Sequence, residues 1–382
     1  MKSKYKILIP LFILLSLVLS SAYLFLPSHF QSLDNRVRDF YFKFRGPEKA
    51  SDDVVIVDID ERSIKELGQW PWERDKFAKI LTNLTNNQAG IIGLDIVFSE
   101  ADKTSPAKFA KKWGLDGKSL PDYDSILSNT VANSPTILGY VFDFNADNEN
   151  EAPQVPAIFI EKNKPKREFL PLARGVLTNL EVIQNSGYSS GYMNNIPDET
   201  GIIRSVPLTI KYQNQVYPSL AFEMYRIAIN SKKVLLQYDE NGIDTIKLKD
   251  FPIKADRFGR LYLNFRGPFQ SYKYISAVDV YNNEVSVKDL QGKFVLIGTS
   301  AYGLMDLRST PMDSVIAGVE VHANLIDNLL NDDMLKKPSW IEIADILVIF
   351  LIVFTVTIVF YMLSWLMLMI VYPLSFFGIL YL

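Results

Sequence analysis

Hydrophobic positions fall into three patterns along this chain, and each predicts a different kind of element. At the start, Ile7 to Leu26 form a nearly unbroken apolar run behind Lys2, Lys4 and Lys6. At roughly 20 residues it is long enough for a helix to cross a hydrocarbon core of roughly 30 Å. A cleaved signal peptide begins the same way, but Ser20, Ser21 and Ala22 are followed by more apolar residues, which fits an uncleaved anchor better. From Ile341 the chain is again almost uncharged. "IEIADILVIFLIVFTVTIVFYML" and, after Ser364, "WLMLMIVYPLSFFGILYL" each read as a span, with Trp340 and Trp365 suited to the interface. The lysines ahead of the first run place its start in the cytoplasm. The expected layout is therefore a cytoplasmic N-terminus and anchor over 1–29, an extracytoplasmic domain over 30–338, and a hairpin of two transmembrane helices over 339–382.

Between the ends, short continuous apolar runs alternate with amphipathic ones. "DDVVIVDID" is the run expected of a strand covered on both faces. "WERDKFAKILTNLTNN" places Phe77, Ile80, Leu81 and Leu84 on one helical face, with Glu73 and Asp75 in its first turn. Gly90 ends it and "IIGLDIVFSE" is the next buried strand, so a parallel βαβ unit is predicted. Residues 101–133 and 145–170 are polar and read as surface excursions. Further on, "GIIRSVPLTIKY" predicts a strand, Asn214-Gln215 a turn and "SLAFEMYRIAI" a helix. "VLLQYDENGIDTIKL" predicts a hairpin around Asn241-Gly242, a dipeptide that accepts the positive φ of such turns. "RLYLNFRGP" and "GKFVLIGTS" are further strands, and "GVEVHANLIDNLL" is a closing helix. FRGP occurs at Phe44 and again at Phe265 with no repeat around it, and Gly-Pro is a common way to stop an element. The fold class is α/β: a mixed, largely parallel sheet with flanking helices, plus three transmembrane helices.

Composition narrows the function. A net charge of −3 leaves no electrostatic footprint for nucleic acid. Cysteine is absent, which rules out disulfides and thiolate metal sites, and the two histidines, His29 and His322, are too few for a histidine-rich centre. No metal site and no cofactor is expected.

The ordered set "DIDERSIKELGQWPWERDKFAKIL", "IIGLDIVFSEAD", "PSLAFEMYR", "LNFRGP", "GKFVLIGTSAYGLMDLRSTP" and "GVEVHANLIDNLL" resembles the second type of CHASE domain. These are the cyclase- and histidine-kinase-associated sensory extracellular modules of bacterial receptors, and the resemblance covers residues 30 to 335. It implies an extracytoplasmic or periplasmic sensor held in the cell (inner) membrane by several spans. It also implies a cyclase or kinase output domain in cis or in trans. The motifs do not state a ligand; the expected partners are an unknown small-molecule or envelope ligand, the lipid bilayer and a second copy of the chain as a homodimer.

Candidate chemistry gathers at strand ends. Asp58 and Asp60, Asp95 with Ser99 and Glu100, and Thr299 with Ser300 all lie near the carboxyl ends of buried runs, where open parallel sheets collect their ligands. The alternative is a membrane-anchored, Mg²⁺-dependent phosphatase of the haloacid-dehalogenase type, whose first motif is a strand ending in Asp-x-Asp. That motif takes Thr or Val two residues after the second Asp, where this chain has Arg62, and no acidic third motif follows. No catalytic residue is assigned. A structural envelope protein that binds a protein partner is a third class. Trp72 can stack a ligand ring or pack over the helix start. His322 shares a helical face with Val319, Ala323 and Ile326 and reads as a core histidine, while Asp306 and Arg308 can pair beside it.

Overall fold

The run that stops at Asp58 forms β1 (Val54–Ile59), buried along its whole length. It heads a sheet whose other members are β2 (Ile91–Leu94), β3 (Thr136–Asp143), β4 (Gly175–Leu177), β5 (Ser189–Tyr192), β6 (Lys273–Ser276) and β7 (Phe294–Thr299). This is a computed structural model, and it describes residues 2–25, 27–117, 119–145, 152–301, 304, 306–336 and 341–362. The spatial order is β6-β1-β7-β2-β3-β4, with β5 also paired to β3. Every pairing in this sheet is parallel except β3 with β4. The sheet is mixed and largely parallel, as expected.

The βαβ unit is present, but its two strands are not neighbours. β7 inserts between them, pairing Ile56 with Leu296 on one side and Leu296 with Gly93 on the other. After β1 the chain makes α3 (Glu61–Leu67) and α4 (Arg74–Asn86). Alternate residues of a strand face opposite ways. Val55, Val57 and Ile59 share one core cluster with Phe77, Ile80 and Leu81 of α4. Val54, Ile56 and Asp58 therefore point to the other face, where α7 (Gly318–Asn331) packs on β1 and β7. Gly298 permits that approach, because a Cβ there would lie 2.5 Å from the Val319 Cβ. α6 (Leu220–Ala228) packs beside α7 and against β2 and β3.

Residues 101–133 are not the surface excursion their polarity predicts. They contain a helix at Pro106–Lys112 and α5 (Tyr123–Ala132), whose Leu127 and Val131 enter the main core. Part of the segment's polarity is itself buried, since Asp124 and Ser128 lie buried on the same helix. Asp124 accepts the Asp102 amide at 3.1 Å and pairs with Lys108. The hairpin Lys233–Asp239/Gly242–Leu248 forms around Asn241-Gly242 as expected, in a smaller sheet with Phe251–Ile253 and Ile158–Lys162.

The chain divides into two compact units: residues 46–336, and a second unit that holds α1 (Lys2–Phe25), α2 (Pro27–Arg45) and α8 (Ile341–Met362). Within the second unit, Phe12 meets Phe350 and Phe354 edge-on at centroid distances of 6.1 and 5.8 Å. Among the described residues no helix is long and apolar enough to cross a membrane. This corrects the expectation of three transmembrane helices. Lys2–Phe25 carries Pro10 inside the helix, and Ile341–Met362 carries Glu342 and Asp345 near its start. The remaining expected span, together with Trp340 and Trp365, lies outside the described residues.

Candidate functional site

Adjacent strands β1 and β7 send their following helices to opposite faces of the sheet. Such a reversal opens a crevice at the carboxyl ends of the strands. In this protein the crevice is a cavity of about 460 Å³. Asp58 lines it from β1 and Asp60 from the turn between β1 and α3, Tyr274 and Ser276 from β6, and Ser300 and Ala301 from the end of β7. Phe269, Leu307, Asp313, Val315 and Ala317 close it from the loops before β6 and ahead of α7.

The hydroxyls of the wall are committed to its carboxylates. Ser300 donates to Asp58 Oδ2 at 2.5 Å. Ser276 donates to Asp60 Oδ1 at 2.9 Å, and the same oxygen takes the Ser63 amide at 2.7 Å, so Asp60 also caps α3. Tyr274 donates to the buried Glu320 Oε2 at 2.8 Å. Asp58 is only 4% exposed, and its Oδ1 has no hydrogen-bond partner. Burial is the main cause that pushes the Asp58 carboxyl up to about 6, the Ser300 bond opposing it and the Asp60 charge adding to it. Burial likewise raises Glu320, against the bonds from Tyr274 and the Ser271 and Gln270 amides.

Of the residues singled out by sequence, Asp58, Asp60 and Ser300 come together in this cavity. Thr299 stands half-buried at the end of β7, opposite Ile59. Asp95 is at the end of β2 on the α7 side and forms a separate buried group with His322, whose Nε2 lies 3.7 Å from Asp95 Oδ1. Asp95 is raised well above the usual carboxylate range, by burial first and then by the Asp306 charge, with Arg308 opposing. His322 falls to about 4, because burial outweighs its hydrogen bond to the Met193 backbone. Asp306 and Arg308 form an ion pair at 2.8 Å. Ser99 and Glu100 are exposed, Glu100 pairing with Lys103 at 2.9 Å. Trp72 is a core residue that donates its indole N–H to the Gly68 carbonyl at 2.8 Å and packs with Trp70 and Phe77. Among the described residues no group of three or more His, Asp or Glu side chains is placed to hold a metal ion.

The cavity residues that sequence reasoning missed are those of β6 and the closing loops. β6 has only four residues, too few to show a period, and it pairs with a strand more than 200 positions earlier. A second cavity, of about 520 Å³, opens beside the start of β5 and the end of α6, lined by Gln184, Tyr188, Arg226 and Lys232 among others. None of the predicted site residues reaches it.

A parallel α/β sheet with a strand-end cavity is a scaffold that many functions share. The comparison that decides the family is with protein-family models, where the one described as "CHASE2 domain" matches residues 11–361. The chain belongs to the CHASE2 family. CHASE2 domains are extracellular sensory modules of signalling receptors, and the expectation drawn from the quoted motifs holds at that level. No curated protein and no solved structure matches the chain.

Proposed function

We propose that this CHASE2 chain senses a small molecule in the cavity at the ends of β6, β1 and β7, and passes occupancy to a cyclase or kinase unit. The observation that carries the reading is Asp58, a carboxylate buried in the cavity wall with one oxygen unpartnered. A buried polar group left unpaired costs about 1–3 kcal/mol, so a group that pairs with it has that much to gain. The cavity also borders the loop that runs directly into α7, so an occupant touching Leu307, Asp313 and Val315 acts on the start of that helix. A ligand shifts an equilibrium only by its differential affinity for the two arrangements, and a coupling of roughly 1–3 kcal/mol is typical of receptors.

Two features favour sensing over phosphoryl transfer. Asp60 is occupied as the cap of α3, and Arg62, where the phosphatase motif takes Thr or Val, turns to Glu66 and Asp279 at 2.9 and 2.8 Å.

The test is a thermal-shift screen of a metabolite library against the chain and against Val315→Trp, which fills the mouth from an exposed position. Stabilising compounds that lose their effect in the variant support the reading. Hits that persist in the variant, with protected amides far from β1 and β7, overturn it.

A further inference from the structure

The hydrogen-bonding sense of the cavity wall narrows the ligand class. Carboxylates of Asp58, Asp60, Glu61 and Asp313 line it, and Arg62 is the one cation among the described lining residues. That guanidinium is already shared between Glu66 and Asp279. The hydroxyls are spent as well: Ser300 donates to Asp58, Ser276 to Asp60 and Tyr274 to Glu320. Asp313 already takes the Phe269 and Val315 amides at 3.2 Å, so the acceptor capacity that remains is on Asp58 and Asp60, including Oδ1 of Asp58, which is 4% exposed and has no partner. An anion brought here meets a negative field and, among the described lining residues, no uncommitted cation. A neutral polyol would find acceptors but, among the described lining side chains, few donors beyond the amide of Gln270.

The rest of the wall is apolar and aromatic. Phe269 and Tyr274 form an edge-to-face pair at 5.6 Å, with Leu307, Val315 and Ala317 around them. Aromatic faces attract cations, and the attraction grows once the site is desolvated.

We infer that the CHASE2 cavity takes a small organic cation, an ammonium or guanidinium on an apolar body, with its charged N–H groups on Asp58 and Asp60 and its body against Phe269, Leu307 and Val315. This rests on the cavity being the ligand site, and the two ideas fail differently. The ammonium supplies the missing donors and the opposite charge in one group. Its apolar body covers the aromatic pair.

The experiment measures binding of 2-phenylethylammonium to the full chain by calorimetry, beside the matched 2-phenylethanol and 3-phenylpropanoate. Two variants accompany it. Asp58→Asn keeps the shape and removes the charge. Val315→Lys starts from a position 45% exposed, so it need not disturb the core, and it places a tethered ammonium at the mouth. The expected result is that the ammonium binds at least about tenfold more tightly than the alcohol, while the carboxylate does not bind. Asp58→Asn should weaken the ammonium by about tenfold, and Val315→Lys should abolish its binding. If the alcohol or the carboxylate binds as tightly as the ammonium and is displaced by Val315→Lys, the cation inference falls and the cavity stands. An ammonium affinity unchanged in Asp58→Asn has the same consequence. Binding that survives Val315→Lys, or no binding by any of the three probes, overturns both.

Discussion

Ser300 Oγ donates to Asp58 Oδ2 at 2.5 Å, joining the ends of β7 and β1 where their helices part to opposite faces. The contact satisfies one oxygen of a buried carboxylate and leaves the other without a partner. Its energetic consequence is a pH dependence whose sign follows from the raised pKa.

The folded Asp58 holds its proton up to about pH 6, while the unfolded one releases it near 3.8. Between those values the folded state binds more protons, so stability falls as pH rises through the window. Each tenfold difference in proton affinity is worth about 1.4 kcal/mol, so the full effect is roughly 3 kcal/mol, an upper figure for a group with an accepted hydrogen bond. Asp58→Asn should therefore raise the melting temperature at about pH 8 and flatten its dependence on pH. Chemical denaturation of both chains across that range is the measurement. A variant less stable than the parent at alkaline pH would show that the ionised carboxylate is stabilising.

His322 moves in the opposite sense. Its folded value of about 4 lies below the ordinary 6.5, so it contributes stability that is present above 6.5 and lost as pH falls through that window. Its ring should stay neutral at about pH 6, read from the ¹⁵N shifts of the imidazole. Burial favours the neutral form of Asp95, 3.7 Å away, so Asp95→Asn, which keeps a neutral group of the same shape, should cost less stability than Asp95→Ala. Protonation of His322 with a midpoint near 6.5 would refute the burial argument.

Arg266 is the centre of a buried ionic network. It meets Asp327 at 2.6 Å, Asp333 at 2.6 Å and Glu48 at 3.4 Å, while Asn324 receives its backbone amide. Burial alone would lower its pKa, but the bonds to Asp327 and Asp333 raise it above the ordinary value. Removing one partner of a buried pair typically costs 3–5 kcal/mol, so Asp327→Ala should cost about 3 kcal/mol, since Asp333 and Glu48 remain. Urea titration reads this directly, and a loss under about 1 kcal/mol would mean that the network contributes little.

Gly298 tests the packing of α7 on β7. In a strand interior, alanine would ordinarily gain about 0.5–1 kcal/mol over glycine. Here its Cβ would lie 2.5 Å from that of Val319, and overpacking of this kind costs about 1–3 kcal/mol, so the clash wins and Gly298→Ala should destabilise. Val319→Ala in the same chain should recover part of the loss. Failure to recover would place the strain elsewhere.

The sequence by itself determined what depends on near neighbours. The buried run 54–59, the amphipathic helices 74–86 and 318–331, and the Asn241-Gly242 hairpin were legible because strand period, helix period and turn chemistry act within a few residues. The ordered motifs also carry the family, and the strand pattern alone marks Asp58, Asp60 and Ser300 as strand-end residues. Only the tertiary structure decided that β7 lies between β1 and β2 and β6 on the other side of β1. It brought Tyr274, Phe269 and Val315 to Asp58, drew Leu127 and Val131 of an apparently polar segment into the core, and made Arg266 of an ordinary Gly-Pro stop a buried hub. It also took Trp72 into the core and separated Asp95 and Glu100 from the cavity. The physical reason is that a strand's neighbours are chosen by packing between segments hundreds of positions apart. Periodicity shows which face of an element is buried and carries no information about what buries it.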